Sequence, residues 1–179
     1  MPPSTTRDAL LIVAAFSRHA AALARARARL VDHFGPVALA SEPYSFHHTD
    51  YYVRSMGPEL LKQLHVFERL VPLAGLPDHK RATIALEAEI KADGGYPEER
   101  PINLDPGLLN LGKFMLATTK DNAQRIYLRD GIFAEVTLFF RDGEFRPWPW
   151  TYADYREDAV RAFLLRAREY YKQRLSDEP

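Results

Sequence analysis

The stretch RIYLRDGIFAEVTLFFRDGEFRPW, Arg125 to Trp148, holds two Asp-Gly pairs, Asp130-Gly131 and Asp142-Gly143, each set between runs rich in aromatic and β-branched residues. An Asp-Gly pair supplies the two left-handed residues that a tight hairpin needs, because aspartate tolerates that conformation and glycine has no Cβ to oppose it. Strands are therefore expected at Arg125–Leu128, Ile132–Phe140 and Phe145–Trp148. In the middle strand, alternation puts Ile132, Ala134, Val136, Leu138 and Phe140 on one face and Phe133, Glu135, Thr137 and Phe139 on the other. Glu135 is the one carboxylate in this run, and on a partly apolar face it requires a partner, either a cation or a bound ligand.

Upstream, Phe114–Thr119 reads as another strand, which completes an antiparallel β-meander. Asp105-Pro106-Gly107 is expected to turn the chain after a short extended Ile102–Leu104. Downstream, a helix is expected from Asp154 to Leu175, with Val160, Phe163, Leu164, Ala167 and Tyr171 on one side. Its acids Asp154, Glu157 and Asp158 and its later Lys172 and Arg174 suit the helix dipole.

Toward the N-terminus, residues 1–8 are expected to be flexible, and the unbroken apolar run Ala9–Phe16 to form a buried strand. Arg18–Phe34 is an amphipathic helix ended by Gly35-Pro36, with Arg18, Arg25 and Arg29 on a face expected to be solvated. Val37–Phe46, which contains Pro43, is an edge strand; residues 47–61 are irregular; Leu64–Val71 is a strand; Asp78–Ala92 is a helix ended by Gly94-Gly95. Pro97–Pro101 is a linker. The expected architecture is one α+β domain over residues 1–179: a βαβ-type N-terminal half that admits a ferredoxin-like arrangement, the meander, and a C-terminal helix.

Composition narrows the function. The chain has 179 residues with 24 Lys plus Arg against 24 Asp plus Glu, a balance that argues against a general polyanion binder. With no cysteine, a disulfide scaffold, Cys-ligated zinc, an iron–sulfur cluster and a cysteine nucleophile are all excluded. The N-terminal apolar run is too short for a signal peptide and is followed by Arg18 and His19, and no run reaches the length of a membrane span. A cytoplasmic location without membrane contact follows by elimination.

Four clusters carry candidate chemistry. His48, Asp50 and Tyr52 place an imidazole and a carboxylate two residues apart, on one side of an extended chain, which suits a metal ligand pair or a base with its orienting partner. The alternative is a packed turn. Asn103 and Asp105 alternate onto one strand face, with Lys113 nearby to neutralise an anion. If a divalent metal is bound, His48, Asp50 and Asp105 are its candidate ligands, all nitrogen and oxygen donors. Thr119, Lys120, Arg125 and Tyr127, preceded by Thr118, form a candidate anion cradle. Thr-Lys-Asp here lacks the spacing of the GTPase specificity motif, and the chain has no phosphate-binding Gly-rich loop. In the fourth cluster Tyr152, Asp154 and Arg156 are ligand candidates, while Trp148 and Trp150 read as packing residues.

His48-Thr49-Asp50-Tyr51-Tyr52, Asn103-Leu104-Asp105-Pro106-Gly107, Leu116 to Asp121, Arg125 to Leu128, Ala134 to Leu138 and Trp150 to Arg156 resemble, in order and spacing, an uncharacterised bacterial family, the one catalogued as domain of unknown function 4416. The sequence departs from the family pattern at Ile84, where the family has Asn, at Leu108, where it has Tyr, and at Ala153, where it has Pro. The resemblance implies that the four clusters serve one shared site, and it names no reaction.

The expected function is that of a small-ligand protein, with an enzyme acting on a phosphorylated or anionic metabolite or nucleotide as the leading form. Its acid–base or metal candidates are His48, Asp50, Asp105 and Glu135. One alternative is an RNA-binding accessory module, with Arg25, Arg29, Lys120 and Arg125 on phosphates and Tyr52, Tyr127 and Tyr152 stacking on bases. Another is a structural or interaction protein, which would lack a cavity where the clusters meet.

Overall fold

The computed structural model describes residues 8–46 and 52–177. His48 and Asp50, and the segment 1–8 apart from Asp8, lie outside the described residues. Asp8 is tied down, its carbonyl accepting from the Tyr171 hydroxyl at 2.6 Å.

The apolar run near the N-terminus becomes β1 (Ala9–Ser17), buried along its whole length. A strand can be apolar at every position only if both of its faces are covered, and here they are. Ala9, Leu11, Val13 and Ala15 pack under α1 (Ala20–Phe34) and α3 (Leu76–Ala92), while Leu10, Ile12 and Ala14 pack with α4 (Asp158–Asp177). The domain is thus three layers, with two helices on one side of a sheet and one on the other.

Between these elements run β2 (Val37–Ala40), β3 (Tyr44–Phe46), the one-turn α2 (Val53–Met56), β4 (Leu60–Val71), β5 (Asn103–Leu109), β6 (Lys113–Thr118), β7 (Ile126–Arg129), β8 (Ile132–Arg141) and β9 (Glu144–Pro147). All pair antiparallel in the order β2-β4-β1-β5-β6-β8-β7, with β3 also on β4 and β9 also on β8. Because β4 is antiparallel to both β1 and β2, the unit β1-α1-β2 is a βαβ split by β4. By the same logic β4-α3-β5 is a βαβ split by β1. Two interleaved split units are the ferredoxin-like arrangement, extended here by β6, β8 and β7.

Both Asp-Gly hairpins form as expected: Asp130 and Gly131 have φ of 54° and 73°, and Asp142 and Gly143 have 52° and 86°. Strand β8 then reaches past the short β7 to pair with β6. Strict alternation along β8 does not persist. Phe114 pairs with Leu138 but Met115 with Val136, which leaves Thr137 as a bulge. The bulge switches faces: Ile132 and Ala134 join the α1/α3 core, whereas Leu138 joins the α4 core.

Several local expectations are corrected. Asp105-Pro106-Gly107 does not turn; it runs straight through β5, paired to β1 from Asn103 to Leu109. Gly107 is there for close approach, since a Cβ on it would sit 2.5 Å from the Met115 carbonyl oxygen and 2.7 Å from the Phe114 ring. Residues 53–56 form a helical turn rather than irregular chain, and β4 begins at Leu60, before the expected Leu64. The last helix starts at Asp158, after a 3-10 turn over Ala153–Arg156, so Asp154 does not open it. The arginine face of α1 is engaged as well as solvated: Arg25 meets Asp93 at 3.4 Å, Arg29 meets Glu89 at 3.5 Å, and Arg18 meets Glu98 at 3.2 Å.

The pairing of β5 with β6 covers only Gly107–Leu109. Below that point β5 continues back to Asn103 and β6 onward to Thr118, so the two strands splay apart. Pro106, with no N–H to give a ladder, is the residue at which this pairing stops. The fork opens at the end of the sheet where β1 ends and β4 begins, and side chains from α3 on one side and from the segment before α4 on the other reach into it.

Candidate functional site

The fork holds a cavity of about 610 Å³. Its lining comes from α3 on one side (Lys80, Ile84, Glu87), from the segment Tyr152–Tyr155 on the other, and from the ends of β1, β3, β4, β5, β6 and β8. Five cations, Lys62, Lys80, Arg100, Lys120 and Arg125, share it with four carboxylates, Glu87, Asp105, Glu135 and Asp154. These charges are sorted into three networks.

The first network stands in for the missing strand beside β5. Lys80 donates to the Leu104 carbonyl at 3.0 Å, and Glu87 accepts from the Leu104 N–H at 2.6 Å, so α3 satisfies the backbone groups that β6 leaves unpaired. Lys80 also pairs with Asp105 at 3.0 Å, and the Asn103 amide donates to the second Asp105 oxygen at 2.8 Å. Arg100 donates to Asn103 and lies 3.7 Å from Glu87. Burial pushes the Asp105 carboxyl up, but Lys80, Lys62 and the Asn103 amide outweigh it and hold Asp105 below the ordinary range. Burial dominates at Glu87 and raises it.

The second network is a buried ion pair in an aromatic cage. Lys62 donates to Asp154 Oδ2 at 2.6 Å with the side chains 4% and 1% exposed. The ammonium lies 5.5, 4.9 and 4.5 Å from the ring centres of Phe16, Phe46 and Tyr155. Tyr44 donates to the same carboxylate oxygen at 3.3 Å, while Asp154 Oδ1 and the Tyr155 hydroxyl are buried without a hydrogen-bond partner among the described residues. Burial first, and then the Asp154 charge, raises both tyrosines.

The third network answers the question that Glu135 posed. Its Oε2 accepts from Arg125 Nε at 3.0 Å and from Gln124 at 3.1 Å, while Oε1 is buried without a hydrogen-bond partner among the described residues. Arg125 reaches further, donating to the Lys120 carbonyl at 3.0 Å and the Tyr152 hydroxyl at 2.7 Å. Burial raises Tyr152, and the Arg125 charge opposes that rise. The Thr137 bulge seats this wall: its carbonyl accepts from Thr151 at 2.5 Å, and the neighbouring Val136 carbonyl accepts from Trp150 at 3.1 Å.

Of the candidate residues, Tyr52, Asn103, Asp105, Thr119, Lys120, Arg125, Glu135, Tyr152 and Asp154 line the cavity. Lys113, Tyr127 and Arg156 do not. Lys113 stands at the far end of β6, five residues from Thr118, or roughly 17 Å along a strand. Tyr127 packs edge-on against Phe133 and is 58% exposed. Arg156 donates to the carbonyls of Thr151, Trp148 and Pro149 and so clamps a turn. Trp148 stacks on Trp150 with centres 5.1 Å apart, the packing role expected of both.

The cavity also uses residues that the motifs did not single out, chiefly Lys62, Lys80, Glu87 and Arg100. A signal related to the one that flagged Glu135 was present for three of them. Lys62 falls on the strand face that also carries Leu60, Leu64 and Val66 into the interior, and Lys80 and Glu87 fall on the helix stripe that also carries Leu76, Thr83 and Ile90 there. Ile84, one of the departures from the family pattern, lies in the cavity wall.

As to a metal, among the described residues no three His, Asp or Glu side chains come together to hold one. Both Asp105 oxygens are occupied by Lys80 and Asn103. No described helix is long and apolar enough to cross a membrane.

Fold and site together define an α+β domain with a mixed-charge cavity in a forked antiparallel sheet. The family model described as Domain of unknown function (DUF4416) matches residues 7–171, and the chain belongs to that family. No curated protein and no solved structure matches it.

Proposed function

We propose that this chain binds a small anionic ligand, a phosphorylated or otherwise anionic metabolite or nucleotide, in the fork between β5 and β6. The observation that carries the reading is the meeting of five cations and four carboxylates around one cavity of about 610 Å³, a volume in the range of small-molecule sites. Thr118, Thr119 and Lys120 at the end of β6 supply hydroxyls and an ammonium for the anion. Glu135 is our candidate for moving a proton, because one of its oxygens is held by Arg125 and Gln124 while the other has no hydrogen-bond partner among the described residues. Asp105, held as a carboxylate with both oxygens engaged, serves better as an anchor for Lys80 and Asn103.

The ion pairs of Arg25 and Arg29 with the acids of α3 weigh against the RNA reading, which needs those guanidinium groups on phosphates. The presence of a cavity weighs against a purely structural role. The test is a melting-temperature screen of phosphorylated compounds at low salt. A ligand at a hundred times its Kd adds about 2.7 kcal/mol, which at this chain length raises Tm by roughly 5–10 °C. Lys120→Ala and Glu135→Gln should reduce that shift or the turnover of the compound. A flat screen, with retention on an RNA column that falls steeply with salt, would instead favour the RNA module.

A further inference from the structure

The cavity has chemically unlike ends. At the β4 end, Phe16, Phe46 and Tyr52 lean on one another with centres 5.0, 5.0 and 5.9 Å apart, and all three line the cavity. Phe16 is buried, whereas Phe46 and Tyr52 are only half-buried and keep ring surface for a ligand. At the β6 end the lining is hydroxyl, ammonium and guanidinium, from Thr118 to Arg125.

Resting on the reading that the cavity takes an anionic ligand, we infer that this ligand is a mononucleotide, with its phosphate at the β6 end and its base against Phe46 and Tyr52. An inorganic anion or a sugar phosphate would occupy the cationic end and leave the half-buried rings facing water. A base covers them, and stacking on an aromatic side chain is a substantial and sequence-tolerant attraction. Asp154 adds a reason for a nitrogen heterocycle rather than an aliphatic tail. Its Oδ2 is taken by Lys62 and Tyr44, but Oδ1 is a buried acceptor without a hydrogen-bond partner among the described residues, and Lys62, which holds the carboxylate, stands over the Phe46 ring. Since Lys62 already balances its charge, that oxygen suits a neutral N–H donor better than a second cation. The aromatic end is fixed in place from below, because the ammonium of Lys62 stands within 5.5 Å of the Phe16 and Phe46 ring centres.

The experiment is calorimetric titration of the full chain, at low salt, with inorganic phosphate, ribose 5-phosphate and the four ribonucleoside 5′-monophosphates. At least one nucleotide should bind about tenfold or more tightly than ribose 5-phosphate, the difference that one stacked base supplies. Phe46→Leu and Tyr52→Leu, made separately, should each remove most of that gap and leave ribose 5-phosphate within about twofold of its original affinity. Ribose 5-phosphate binding as tightly as every nucleotide would overturn the inference while leaving the anionic-ligand reading in place. A nucleotide preference that survives both substitutions would overturn it as well. If none of the probes binds, both the inference and the reading beneath it fall.

Discussion

Replacing Lys62 by methionine tests whether the cavity rests on its buried ion pair. The substitution keeps most of the side-chain volume and removes the charge, leaving Asp154 1% exposed with Tyr44 as its donor at 3.3 Å. Breaking a buried pair from one side strands the other charge, at a cost of about 3–5 kcal/mol. That cost includes the loss of a desolvated cation from above aromatic rings, about 2 kcal/mol in the most favourable geometries, so we expect Lys62→Met to destabilise by about 4 kcal/mol in all. At a urea m-value of about 2 kcal/mol/M, the unfolding midpoint would fall by about 2 M. Lys62→Met combined with Asp154→Leu removes both charges, and the double variant should recover to within about 1 kcal/mol of the parent, because an apolar replacement of a buried pair is often neutral. Urea unfolding followed by circular dichroism on the parent, both single variants and the double variant closes the cycle. If Lys62→Met cost less than about 1 kcal/mol, or if the two single losses simply added, the pair would not be the buried, mutually dependent unit described above.

Other outcomes follow from the same structure. Burial, and then the nearby Arg27, lowers His65 to about 4. The unfolded chain therefore binds a proton at this site first as pH falls, and stability present above pH 6.5 is lost progressively down to about pH 4. A shift from 6.5 to about 4 corresponds to roughly 3 kcal/mol. His65→Leu should gain about that much on the parent between pH 7 and pH 4 in paired urea titrations, and an unchanged difference would contradict the assignment. Arg125→Met should cost several times more stability than Lys120→Met, since Arg125 is 3% exposed and carries Glu135, while Lys120 is exposed; thermal melts of the two variants compare them directly. Gly107→Ala should cost about 2 kcal/mol or more through overlap with the Met115 carbonyl and the Phe114 ring, read as a fall in Tm of about 4–8 °C.

What could be read from the sequence were the features set by neighbours along the chain. The two Asp-Gly hairpins, the helix α1 with its Gly35-Pro36 stop and the wholly apolar β1 all depend on local conformational preference or periodicity. Glu135 was recognisable as a buried charge awaiting a partner because it interrupts an apolar strand, and Arg125, ten residues earlier, proved to be that partner. Asp105-Pro106-Gly107 shows where local signals fail. Its residues favour a turn, but pairing with β1 across about ninety residues of sequence holds them extended. The fork was illegible for the same reason, since it exists only because β5 and β6 share three paired positions and then part. Lys62 and Lys80 shared a related signature, a charge at a position whose strand face or helix stripe also carries apolar residues inward, and attention to it would have pointed to both sides of the cavity. The Thr137 bulge leaves no mark in the sequence, because an extra residue in a ladder is defined by its partner strand.

The central position of β1 bears on how the chain is made. Its partners are residues 60–71 and 103–109, so β1, once it has left the ribosome, is completed on its second edge only after Leu109 has emerged. At about 5–20 residues per second, that interval is roughly 5–19 s. Throughout it an entirely apolar segment has at least one open edge, the state in which nascent strands pair wrongly with other chains. Helix α1 follows within three residues of β1 and can cover one of its faces early, but nothing made before β5 can close that edge. Slower translation between α3 and β5 would lengthen the time for which that edge stays open.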